Sequence, residues 1–355
     1  MVGREFMSLA IHTNGNLSRF NRLKGRLLGL SPKEASFSRR AFPGCGSGSR
    51  EHLESVIRTF IEGYNLAVRE SDPVRLAQRL DSTFAPAFVG FAYEGVGLYF
   101  GLVDLLLPRS GSRLDAFTHS AGERHDFIIS VGAGFAVARV PLGLRRLESY
   151  QKSLDPMTAW CLADGYGFHE GFFHWKRFVD GRQPAPASLS LQNRRLFDAG
   201  VGRAMWWVYG ADAASIAAAI SRFDAERRHE MWAGIGTALA YAGGVTPEAA
   251  SLLHDLAGSY QSDLLSGIPF AAHMRDKGRN PAAWTDEVCM GLLRMSVGET
   301  SEIIVTELAA YLDNWQGSEP DKWSGCYVAL RERVRQRLLK RRATPSANFA
   351  LTNGD

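Results

Sequence analysis

The chain has 355 residues, 45% of them hydrophobic and 22% charged, with a formal net charge of +4. That is the make-up of an ordinary globular protein, large enough for one big domain or two average ones. The positive excess sits at the two ends without interleaved base-stacking aromatics, which argues against nucleic acid as a partner.

Four cysteines (Cys45, Cys161, Cys289, Cys326) are far apart, with no CxxC pair and no metal-ligand spacing, so reduced thiols are expected. No apolar run reads as a membrane span. The longest, Phe84 to Leu107, is broken by Glu94 and Asp104 and holds five glycines or prolines. The first residues lack a signal-peptide core, and a cytoplasmic location is expected.

In chain order, residues 1–50 carry Arg19, Arg22, Lys24, Arg26, Lys33, Arg39 and Arg40 and end in PGCGSGSR, the composition of a flexible basic arm. From Glu51 the helical period takes over. Leu53, Val56, Ile57, Phe60, Ile61 and Tyr64 form one apolar stripe. Helix starts are marked at Asp72-Pro73, Asp155-Pro156, Thr246-Pro247 and Asn280-Pro281, each a capping residue before a proline suited to the first helical position. No alternating strand of useful length occurs. A single all-helical domain is expected over 51–342, followed by a disordered tail over 343–355. The basic helix with Arg331, Arg333, Arg335, Arg337, Lys340, Arg341 and Arg342 is expected to face solvent or a partner.

Glycine recurs inside apolar helical runs. EGYNLAV at Gly63, EGVGLYF at Gly95, VGAGFAV at Gly132, DGYGFHE at Gly165, AGVGRAM at Gly200, AGIGTAL at Gly234 and SGIPFAA at Gly267 follow at intervals of 32, 37, 33, 35, 34 and 33. A period near 34 suits a pair of antiparallel helices per unit, stacked as an α-solenoid or closed into a helical ring. Glycine costs about 1 kcal/mol inside a helix, and a smooth face for close helix approach explains its retention.

The residue before the aligned glycine is acidic at Glu62, Glu94 and Asp164, so these three are expected along one wall. Glu170 and His174, spaced i and i+4, form a carboxylate–imidazole pair suited to moving a proton. His169 is expected to point elsewhere. HEGFFH is not HExxH, since its histidines are five apart; Glu170 and His174 give two metal ligands and no third is evident, so no metal is expected. The candidate catalytic residues are therefore Asp164, Glu170, His174 and Glu94. At the same repeat phase, Tyr93, Tyr99, Tyr166, Phe168, Trp206, Trp207, Tyr209 and Trp232 are candidate substrate-binding aromatics, suited to an elongated apolar ligand, with core packing as the plainer role. No phosphate-binding glycine loop, nucleophile elbow or other cofactor signature is present, and no cofactor is evident.

DGYGFHEGFFHWKRFVDGR, FDAGVGRAMWWVYGAD, ISRFDAERRHEMWAGIGTALAYAGG and SGIPFAAHMR resemble, over about Glu51 to Leu312, the family of unknown function numbered 1702. Its members include the UnbL-type proteins of enediyne biosynthesis, which accompany the polyketide synthase that makes a linear polyene. The resemblance implies a bacterial natural-product biosynthesis protein acting on or binding a polyene on its way to a cyclised product, with a polyketide synthase or accessory proteins as partners. The segment GETSEIIVTELAAYLDNW lacks the cysteine-rich ending expected of that group. Two further readings stand beside it: a terpenoid cyclase-like enzyme with carboxylates in an aromatic pocket, although no DDxxD or DxDD motif occurs, and a non-catalytic helical-repeat scaffold for a protein partner. Acids facing an enclosed apolar cavity would favour chemistry; an open polar face would favour a scaffold.

Overall fold

The protein is described from a computed structural model, over residues 28–107, 111–316 and 325–343. The first 27 residues of the expected arm and the tail beyond residue 343 lie outside these. Among the described residues there are helices and no strands, and the chain is all-α. Helices of eight residues or more are α1 (Arg50–Arg69), α2 (Pro73–Thr83), α3 (Pro86–Leu106), α4 (Asp126–Arg139), α5 (Gly143–Gln151), α6 (Cys161–Phe173), α7 (Leu191–Val208), α8 (Ala213–Ile220), α9 (Ala225–Ala242), α10 (Pro247–Leu256), α11 (Gln261–Gly278), α12 (Val297–Asp313) and α13 (Cys326–Ala343).

Three of the four expected starts are capped as the sequence indicates. Asp72 accepts from Val74 and Arg75, Asp155 from Met157, and Thr246 from Ala249, each just before a proline that has no N–H to satisfy. Asn280-Pro281 is not a start. The next helix begins at Ala283, and Asn280 is buried, its carbonyl accepting from Arg275 Nη1.

Seven helices, α1, α3, α4, α6, α7, α9 and α11, hold the glycines, and each packs against the next in that order. Apart from α1, which is amphipathic, they are buried over most of their middle turns, the mark of helices enclosed by others. From Val89 to Leu98 every residue of α3 is buried; α3 is long and apolar enough to cross a membrane by composition, yet most of it is enclosed in the fold. The helices between them, such as α2 with only Leu76, Ala77 and Leu80 buried, are amphipathic and lie outside.

The G-x-G pairs explain the packing. Two residues apart on a helix is about 200°, so the two glycines face opposite neighbours. A Cβ on Gly95, Gly132, Gly165, Gly200, Gly234 or Gly267 would overlap a carbonyl of the preceding glycine helix. One on Gly97, Gly134, Gly167, Gly202 or Gly236 would overlap a carbonyl of the following one. Gly63 behaves like this second set, lying against the Ala92 carbonyl of α3. Its alignment with Gly95 was therefore two residues out of register, and the corresponding step is from Gly63 to Gly97. Gly97 lies beside Ile129 and Ala133, and Gly101 beside Ala133 and Ala136, so α3 and α4 run parallel.

The last of the seven also reaches the second and third: in α11, Arg275 Nη1 donates to the Ala87 carbonyl and Lys277 pairs with Asp126 at 2.6 Å. Within the expected flexible arm, residues 28–49 are packed rather than loose. Leu30 exchanges both backbone bonds with the Asn65 side chain, Phe37 and Phe42 are buried, and Trp175 Nε1 donates to the Arg40 carbonyl. The basic helix α13 is also less exposed than its charge suggests. Arg331 is 2% exposed and bonds Glu230 (2.8 Å) and Asp263 (3.3 Å), while Arg333 and Arg337 both reach Glu307. All four cysteines are free.

Candidate functional site

All seven glycine helices contribute side chains to one cavity of about 330 Å³, and the 29–40 segment lies along it. The lining follows a helical stripe set by the first glycine of each pair. Three residues after it stand Phe135, Phe168, Arg203 and Thr237; seven after it stand Arg139, Phe172, Trp207, Tyr241 and Met274. In α3 the stripe is used on the other side of the glycine, by Phe91 and Glu94. Aromatic rings form part of the wall, alongside Arg40, Arg139 and Arg203: Phe135 stacks on Phe168 at 5.3 Å, Phe168 meets Trp207 edge-on at 5.1 Å, and Phe91 meets Tyr241 at 5.0 Å. The size falls at the lower end of the ~300–1,000 Å³ of small-molecule sites.

Two acids stand in this wall, Glu34 and Glu94, and Glu34 is paired with Arg39 and Arg40; Glu94 is the unpaired one. It is 7% exposed, and among the described residues no hydrogen bond or ion pair reaches its carboxyl. Burial pushes its pKa up to about 7; Arg203 pulls it down and the Asp164 charge pushes it up. A carboxyl with no donor to stabilise its charge holds its proton, because desolvation penalises the ionised form. Near neutral pH the neutral acid is therefore available at Glu94.

Arg203 also faces the cavity, but its charge is engaged. Its Nη2 donates to Asp164 Oδ2 at 2.6 Å and its Nε to Asp164 Oδ1 at 3.3 Å. Burial lifts the Asp164 pKa and the guanidinium opposes it, the net being above the ordinary value. Asp164 lies behind the main cavity, on a small void of about 40 Å³ shared with Arg203, rather than on its wall.

The expected single group of acids is thus divided. Glu94 and Asp164 are linked through Arg203 inside the fold. Glu62 is exposed on α1; with the register corrected, its place is taken by Phe60, which does line the cavity. Glu170 and His174 lie toward the far end of α6, outside the cavity lining. Glu170 is buried, His174 has 55% of its side chain exposed, and His174 Nδ1 lies 3.1 Å from Glu170 Oε2. His169, expected to point away, lies with Nδ1 3.1 Å from Glu170 Oε1, and its Nε2 accepts from Arg139 Nε at 3.3 Å. Burial raises the Glu170 carboxyl, but the two imidazoles more than reverse this and leave it below its ordinary range; burial lowers His169. Side chains of His169, Glu170 and His174 could together hold a metal ion.

Of the expected binding aromatics, Phe168 and Trp207 line the cavity. Tyr93 stacks on His125 at 4.1 Å and donates to Asp81; Tyr99 packs on Phe100 at 5.5 Å; Tyr166 packs on Phe197 at 5.6 Å. Trp206 donates to the Gly243 carbonyl inside the core, Trp232 is buried away from the cavity, and Tyr209 borders an open surface cleft. Arg203, Phe135, Phe91, Tyr241 and Arg139 were not anticipated. Their signal was present, since they stand three, four or seven residues from an aligned glycine, in phase with Phe168 and Trp207.

No curated protein and no solved structure matches the chain. Residues 19–338 match the family described as Protein of unknown function (DUF1702), and the chain belongs to that family.

Proposed function

We propose that the chain takes an elongated, apolar, unsaturated molecule into the central cavity, and that Glu94 donates its proton to a carbon–carbon double bond to begin cyclisation. The observation that carries this is an acid with its pKa pushed up to about 7 on a wall of aromatic rings. As the Glu94 O–H bond breaks, the alkene π pair forms a new C–H bond, and the adjacent carbon becomes cationic. The ring faces of Phe91, Phe135, Phe168 and Trp207 can steady that charge. A second double bond attacks it to form the ring C–C bond, and loss of a proton from carbon, returned to the Glu94 carboxylate directly or through water, restores a neutral product and the acid. The net change is an isomerisation that needs no oxidant or reductant.

The substrate class we favour is a linear polyene of an enediyne-type pathway, in keeping with the UnbL-type resemblance; an isoprenoid chain is the second candidate, since the same acid and aromatic wall serve either. A concave cavity with a mainly apolar lining, rather than a flat polar face, supports an enzyme over a scaffold. We further take the seven glycine helices as one repeated unit of near 34 residues closed around the ligand, supported by the recurrence of the same glycine–carbonyl contact from helix to helix.

Product profiling by mass spectrometry in the producing pathway tests the assignment. Glu94→Gln, checked for folding, is expected to accumulate the linear precursor. An unchanged product would remove Glu94 from the chemistry.

A further inference from the structure

We propose that His169, Glu170 and His174 form a binding site for a borderline divalent metal ion of the Zn2+ class, ligated by the two Nδ1 atoms and the carboxylate. One ligand atom from each of the three residues lies within 4.8 Å of the other two. Two imidazole nitrogens and one carboxylate oxygen are a recurrent ligand set for first-row ions, with a remaining position open to water.

The local fold brings them together against the helical period. His169 and Glu170 are neighbours on α6, and the Glu170 side chain lies between both rings. The helix then ends at Phe173, and His174 leaves it with φ −119° and ψ 36°, which turns its ring back over Glu170. The site therefore sits at a helix C-terminus, where the backbone dipole favours a cation. Two features suit a ligand set more than a chance surface pair. His169 is 5% exposed and its ring is held between Phe173 (4.5 Å) and Phe135 (5.9 Å), so it is oriented in advance. His174 is solvent-accessible, which gives an ion a way in.

Without metal, the carboxylate lies 3.1 Å from each Nδ1, consistent with two Nδ1–H donors. Ligation puts the ion where those protons are. Each neutral ring moves its proton from Nδ1 to Nε2, with no net loss of protons. For His169 that exchange meets an obstacle, because its Nε2 now accepts from Arg139 Nε. Once Nε2 carries a hydrogen, the guanidinium must withdraw. Arg139 is an exposed residue at the cavity whose guanidinium lies over the Phe173 ring at 4.7 Å, and its positive charge also opposes the ion. Arg139 is thus an antagonist of this site, a property that a merely structural Glu–His pair would not confer on it.

The test uses the full chain treated with chelator, titrated calorimetrically with Zn2+ and spectroscopically with Co2+, whose visible bands report nitrogen and oxygen coordination. One saturable ion per chain is expected. His169→Ala, Glu170→Gln and the exposed His174→Ala, which leaves the core untouched, should each weaken binding about tenfold or more. Arg139→Gln should tighten it. Absence of stoichiometric binding, binding that survives His174→Ala and His169→Ala undiminished, or failure of Arg139→Gln to tighten it would overturn the assignment.

Discussion

Arg203 gives Asp164 two hydrogen bonds, the shorter 2.6 Å, although both its guanidinium and Glu94 face the same cavity. The consequence is electrostatic. An unneutralised guanidinium beside Glu94 would favour its ionised form; with Asp164 bound to it, the field at Glu94 is small and burial prevails. Asp164 is in this account a positioning residue that keeps Glu94 protonated, not the acid itself.

Asp164→Asn should therefore have two separable effects. Removing one partner of a buried pair costs about 3–5 kcal/mol, read as a lowered unfolding midpoint in denaturant. It also frees Arg203 to hold Glu94 below its present pKa, so the pH profile of turnover should move to lower pH. A structural role alone would lower stability without moving the profile.

Glu94 itself makes stability depend on pH. In the unfolded chain its carboxyl loses its proton near the ordinary value of 4.5, and in the folded protein at about 7. Between these values the folded state binds the extra proton, so its contribution to stability is full below pH 4.5, is lost as pH rises to about 7, and is flat above. The total is about 3 kcal/mol at 1.36 kcal/mol per unit. Glu94→Gln should abolish this dependence, making the variant more stable than the parent at pH 8 and not at pH 4.5. Denaturant titrations at the two pH values decide it; equal differences at both would contradict a buried, unpaired carboxyl.

The glycine contacts predict opposite outcomes for one substitution type. Gly132→Ala puts a methyl group into the Glu94 carbonyl and should cost about 1–3 kcal/mol or more. Gly298, the second residue of α12, has no atom within 4 Å of an added Cβ, and Gly298→Ala should be neutral or stabilise by up to about 1 kcal/mol. Thermal unfolding of the two variants separates packing glycines from incidental ones.

Arg331→Met tests how far α13 belongs to the fold. Glu230 would keep Arg195 but lose its buried partner, and Asp263 would keep His229. A loss of about 3–5 kcal/mol is expected; a change below 1 kcal/mol would return α13 to the role of a surface helix.

These residues also show where the sequence was legible. Gly132 and Gly165 stand out in one dimension because a helix interior that tolerates glycine at a fixed interval needs close backbone approach, a local demand. Asp72, Asp155 and Thr246 declare helix starts for the same reason. Gly63 misled because a one-letter match cannot say which neighbour a glycine faces, and a shift of two residues moved Glu62 into the place of Phe60. The division of Asp164 from Glu94 was not legible, since it depends on Arg203, a residue 39 positions after Asp164. His169 was assigned away from Glu170 by an ideal helical period that ignores the reach of the Glu170 side chain. Asn280 shows the same limit from another side: its capping chemistry is real, but tertiary burial uses it beside Arg275.

The most direct test of the central claim is binding of a conjugated polyene to the cavity. Parinaric acid, a tetraene whose fluorescence rises in apolar surroundings, would be titrated into the wild-type chain and into Ala238→Trp, which places an indole where the buried Ala238 lines the cavity. Circular dichroism would establish that the variant is folded. Saturable binding by the wild-type chain, lost or greatly weakened in Ala238→Trp, is the result expected. No saturable binding, or equal binding by the folded variant, would contradict the assignment of this cavity to an apolar unsaturated ligand.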